Sequence, residues 1–71
     1  APCSLVLFFS PSCPFSVAAA PTLNALPRLY PALPLWAINV HLDYSSSSLY
    51  GIVGTPTLFL FHNGRPVARF N

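Results

Sequence analysis

The sequence predicts an α/β fold: a mixed sheet with one parallel β-α-β unit and a C-terminal antiparallel hairpin. Three observations carry that expectation. Residues 5–9 and 35–40 are short apolar runs that read as strands, the second with Trp36, Ile38 and Val40 alternating. Between them, Phe15, Ala19, Leu23, Leu26 and Tyr30 recur at steps of three or four, the spacing of a helix over 14–30. After them, Thr57–Phe61 and Pro66–Phe70 flank Asn63-Gly64, the strongest short hairpin signal. Two strands joined through a helix of this length run parallel, in a right-handed crossover.

Each element has a local cause. The first strand ends in Ser10-Pro11-Ser12, a turn signal, and Pro14 is tolerated in the first turn of a helix. Cys13 therefore stands where a strand hands over to a helix. Unpaired N–H groups and the positive end of the helix dipole favour a thiolate there, and the thiolate is the nucleophile. Ser16 lies one turn on and could donate its hydroxyl to that sulfur, so the spacing is C-x-x-S. Pro21 removes the bond to the carbonyl of Val17 and should kink the helix. Asn24 could cap a fresh turn ahead of Pro27, and Pro31 and Pro34 close the segment. Ser45 to Ser48 reads as a solvated loop or as the first turn of a short helix through Leu49 and Tyr50. Asp43 reads as a turn residue after the second strand. Pro66 suits the start of an edge strand. Trp36 and the phenylalanines read as core by their alternation, and the arginines as surface.

Composition narrows the rest. Seventy-one residues make at most one small domain. The chain is 54% hydrophobic and 6% charged, rich in core and poor in solvated surface. That balance suggests a core fragment, 1–71, whose flanks would cover apolar faces. The net charge of +2 comes from scattered Arg28, Arg65 and Arg69 against Asp43, so no nucleic-acid partner is expected. No apolar run reaches the roughly 18 residues that span a bilayer, so no membrane contact by this stretch is expected. No basic-then-apolar leader opens it. Cys3 and Cys13 would sit roughly 20 Å apart at opposite ends of the first strand, too far to bridge. Cys3 then reads as a structural or free thiol, or as a partner for something outside. His41 and His62 read as ordinary strand-end residues. No cysteine–histidine pair has ligand spacing, so neither metal nor cofactor is expected.

With Cys13-Pro14-Phe15-Ser16, Pro21 and the loop Gly54-Thr55-Pro56-Thr57 all in register, the chain resembles the thioredoxin superfamily. Tyr50 to Gly64 is similar to that family's closing hairpin. Cys3–Phe8, Asn24–Arg28, Tyr30–Leu33 and Ala68–Asn71 look like the thioredoxin domain-containing protein 15 group. The plant adenylylsulfate-reductase-like proteins are a second likeness. The resemblance implies a thioredoxin-like three-layer α/β/α fold without its first strand and helix and its last helix. It implies a cis bond at Pro56, and Thr55, Pro56 and Pro14 as substrate-binding residues beside Cys13. It also implies a lumenal domain of a membrane-anchored protein of the endoplasmic reticulum or secretory pathway, linked to cilia. Three departures bear on mechanism. Ser12 stands for the family's tryptophan, Leu7 for its buried carboxylate, and Ser16 for its resolving cysteine.

Two functional classes stay open. One is a monothiol oxidoreductase or isomerase-like domain, in which Cys13 meets client disulfides or glutathione. The other is a non-catalytic interaction module that holds an extended peptide in the groove between Cys13 and Pro56.

Overall fold

The computed structural model describes residues 2–71. The elements are β1 (Cys3–Phe9), α1 (Pro14–Leu29), β2 (Leu35–Asn39), α2 (Tyr44–Leu49), β3 (Thr57–His62) and β4 (Arg65–Phe70). The sheet order is β2-β1-β3-β4, with β1 and β2 parallel and the other pairs antiparallel. This is the expected thioredoxin-like mixed sheet. Asn63 and Gly64 both take positive φ, 50° and 79°, the twist a two-residue hairpin needs. The last strand starts at Arg65, one residue before Pro66, on the edge where a missing N–H is tolerated.

Alternation sorts the strand side chains to two faces. Leu7, Phe9 and Ala37 share a small cavity with Ser16, Ala20 and Leu23 of α1. On the other face Tyr50, just past α2, meets the rings of Phe8, Phe59 and Phe61 at centroid distances of 6.0, 5.7 and 5.8 Å. Phe8 and Phe59 meet edge-on at 5.8 Å. Phe8 is fully buried and Phe59 nearly so, and they centre the core. Arg69 lies over the Phe59 ring at 5.3 Å and donates to the carbonyls of Tyr50 and Gly51, both at 3.3 Å. It is on the surface as expected, and it also ties β4 to the end of α2.

Helical spacing and strand alternation overstate what is buried. Trp36 is 63% exposed, although it alternates with Ile38. It shares a face with Val6 and Phe59, because Val6 is in register with both. Tyr50 covers the β1–β3 side of that face, and β2 is the far edge, so the described residues leave the indole largely uncovered. Phe70, on the other edge strand, is also exposed. In α1, only Ser16 is buried, while Phe15 and Tyr30 are exposed. The helix runs without a break through Pro21 and Pro27. It lies along the sheet with Ser16, Ala20 and Leu23 inward.

The serine run forms α2, and Asp43 is its cap rather than a simple turn residue. The Asp43 carboxylate accepts from the Ser46 amide at 3.1 Å and the Ser45 hydroxyl at 3.2 Å. Gly51, at φ 63°, closes the helix, with its amide donating to Ser48 and that of Ile52 to Ser47. The Ser46 amide, and then the Ser46 and Ser45 hydroxyls, hold the Asp43 carboxyl below its ordinary value. A depressed folded value means the cap contributes stability above the ordinary carboxylate range. That contribution is lost as pH falls through the folded value. Asp43→Ala should therefore speed amide exchange at Ser46 near neutral pH, and the gap from the parent should close on acidification. A Ser46 amide equally protected in both proteins would contradict the cap.

Candidate functional site

The site forms where β1 hands over to α1. Ser10 to Cys13 is a four-residue turn with Pro11 at its second position, closed by the Cys13 amide donating to the Ser10 carbonyl at 3.1 Å. Cys13 is extended, at φ −90° and ψ 121°, and caps α1, with Pro14 following in the first turn. The Val17 amide donates to the Cys13 carbonyl at 3.1 Å and starts the helical ladder. The sequence thus delivers a thiol to a helix start, and its side chain makes no capping hydrogen bond. Cys13 and Cys3 are both free thiols, each half-buried.

The Cys13 thiol donates to the Thr55 carbonyl at 3.3 Å. This contact brings together residues 42 positions apart. The Thr55–Pro56 bond is cis. Thr57, almost wholly buried, donates its hydroxyl to the Gly54 carbonyl at 2.7 Å and braces that loop. Thr55 and Pro56 line an open groove of about 540 Å³ with Phe15, Val53 and Arg69. Phe15 and Val53 are strongly exposed on it. Pro14 is exposed on the first turn of α1 and does not line this groove.

The Thr55 hydroxyl is the largest cause holding the Cys13 thiol below its ordinary value, followed by the Ser16 amide. The Phe15 amide and Ser16 hydroxyl add to them, and burial opposes. The Thr55 carbonyl also opposes, since it accepts only from the protonated sulfur. It is one acceptor against several donors, so the thiolate is favoured. No charged residue stands in Ser10–Ser16 or Val53–Thr57. The depression therefore rests on hydrogen bonds at a helix start rather than on an ion pair.

Ser16 is buried and accepts from the Ser10 amide at 3.2 Å. Leu7, where the family has a carboxylate, is buried on the same face as α1. One participant escaped the sequence. His41 reads there as an ordinary strand end, yet its Nε2 lies 2.7 Å from the Ser10 hydroxyl and 3.4 Å from that of Ser12. No local sequence signal marked it, because the parallel register that brings it to Ser10 is set by the folded sheet. Phe9 pairs with Asn39, so the two strands end level and the residues just past them lie close together.

Among the described residues, no three His, Cys, Asp or Glu side chains converge as a metal site would require, and no helix is long and apolar enough to cross a membrane.

Comparison with known proteins gives the same outline. The thioredoxin family model matches residues 1–71. Human thioredoxin domain-containing protein 15 is 45% identical over 69 residues, 97% of this chain and 19% of that protein. The Arabidopsis thaliana protein 5'-adenylylsulfate reductase-like 4 is 36% identical over 59 residues, 82% of this chain and 19% of that protein. Fasciola hepatica thioredoxin superposes with a TM-score of 0.91 at 25% identity, covering 96% of this chain and 65% of its own. Oxidised mitochondrial thioredoxin 3 of Saccharomyces cerevisiae superposes at 0.92 with 17% identity, over 99% of this chain and 66% of its own. The chain spans about a fifth of the curated relatives it matches.

Proposed function

The chain belongs to the thioredoxin family, and on that premise we propose that Cys13 forms mixed disulfides with client proteins or glutathione in the lumen of the secretory pathway. The observation that carries the reading is the Cys13 sulfur at the start of α1, facing Thr55 and held below its ordinary thiol value. The Cys13 thiolate attacks one sulfur of a client disulfide. A new S–S bond forms to Cys13, the old one breaks, and the departing thiolate takes a proton from water. Ser16 cannot resolve the adduct, so release needs an external thiol. Ser16 instead solvates the sulfur through its amide and hydroxyl. An extended client segment lies along Thr55 and Pro56 by strand addition. The likeness to the single-cysteine group noted in the sequence is what supports the lumenal, membrane-anchored part of this proposal.

A second reading is a non-catalytic peptide-binding module. It is favoured by Leu7, which offers no proton acceptor, and by exposed Phe15 and Val53 on the groove. Oxidised glutathione separates the two. The redox reading expects one glutathionyl group on Cys13 by peptide mapping, and removal by reduced thiol. Modification of Cys3 with Cys13 left untouched would leave only the binding module.

A further inference from the structure

We propose that His41 is a positioning residue for the Cys13 thiol, acting through the Ser10–Ser12 turn. The inference rests on the reading of Cys13 as a reactive thiol and adds the group that holds it in place.

After β2 the chain folds back at once. The Asn39 side chain accepts from the His41 amide at 2.9 Å, and the Asn39 carbonyl accepts from Leu42 and Asp43. The Val40 amide donates to the Phe9 carbonyl at 3.0 Å, fixing this bend against the end of β1. The imidazole is thereby set over the turn that carries the cysteine. Its Nε2 meets the Ser10 hydroxyl at 2.7 Å, and the Ser10 and Ser12 hydroxyls meet at 3.0 Å. With the ring proton on Nδ1, Ser10 donates to Nε2 and accepts from Ser12, which satisfies all three groups.

Ser10 is where these restraints converge. It is almost wholly buried, so its hydroxyl has little water to fall back on. Its amide donates to Ser16, and its carbonyl accepts from Cys13. One residue thus links His41 to both ends of the C-x-x-S stretch. The family's tryptophan is replaced here by Ser12, too small to brace the turn by packing. The imidazole and two hydroxyls supply that brace by hydrogen bonding. Because His41 itself is exposed, its removal leaves the apolar core untouched.

The test is the iodoacetamide alkylation rate of Cys13 against pH on the full chain, with Cys3 as internal reference. In the parent, Cys13 should react faster at pH 7 than a free cysteine. His41→Ala should slow Cys13 about threefold at pH 7 and move its titration midpoint upward, without altering Cys3. His41→Gln carries a hydrogen-bonding group at the same reach and should restore the rate to within about twofold. Ser10→Ala should slow Cys13 similarly, and the double variant should be no slower than either single one. An unchanged Cys13 profile in His41→Ala, additive effects in the double variant, or failure of His41→Gln to restore would each overturn the inference. A parent Cys13 no faster than free cysteine would overturn the reactive-thiol reading and this inference with it.

Discussion

Replacing Ser16 with cysteine should turn Cys13 from a thiol that holds its client into one that releases it. In the parent, a mixed disulfide at Cys13 has no internal attacker, and its lifetime follows the concentration of outside thiols. A sulfur at position 16 would sit one helical turn away, on the side chain that already faces the Ser10–Cys13 turn. Intramolecular attack from there corresponds to an effective concentration far above that of cellular thiols. The decay of a trapped adduct should therefore accelerate on the order of a hundredfold or more. Oxidised Ser16→Cys should carry a disulfide between Cys13 and the introduced sulfur, visible by mass spectrometry after digestion. Turnover should remain modest, because Leu7 gives the second thiol no carboxylate to take its proton. The substitution also replaces a hydroxyl acceptor of the Ser10 amide with a weaker sulfur one, at a small cost in stability. If no bridge forms and the adduct decays no faster than in the parent, Ser16 does no more than solvate the helix start.

Phe8→Ala should come close to unfolding the chain. Phe8 is fully buried and meets both Tyr50 and Phe59, so its ring joins the cover of α2 to the centre of the sheet. Truncating such a ring costs about 3–5 kcal/mol, transfer and cavity together. Below roughly 80 residues a single core rarely supplies more than about 3–5 kcal/mol in all. The urea midpoint should fall steeply, or the cooperative transition should vanish. Trp36→Ala is the contrast. It removes a larger side chain from the same face, yet the indole is exposed on an edge strand and the cost should stay within about 1 kcal/mol. Equal losses at the two positions would mean that Trp36 is covered in solution by something the described residues do not supply.

That contrast marks the boundary between what the sequence alone determined and what tertiary structure decided. The order of elements was local information: apolar runs for strands, a period of three to four for α1, Asn63-Gly64 for the hairpin. So was the thiol at a helix start, because Pro11 and Pro14 fix the backbone on either side of Cys13. Short-range sterics and hydrogen bonding write such features into a few neighbouring residues. Burial is not local. Trp36 and Phe8 both sit in apolar strand runs and share one face, and their places in the sheet separate them: Phe8 lies on interior β1 against Tyr50, and Trp36 on the edge strand β2. Nor could spacing reveal that Cys13 faces Thr55, 42 residues on; only the likeness to the thioredoxins suggested it. The link from His41 to Ser10 spans 31 residues and had no motif to announce it. It exists because β1 and β2 run parallel and end level, at Phe9 and Asn39. A parallel register is set by the packing of the whole sheet against α1, so the side chains it brings together appear only once the chain has folded.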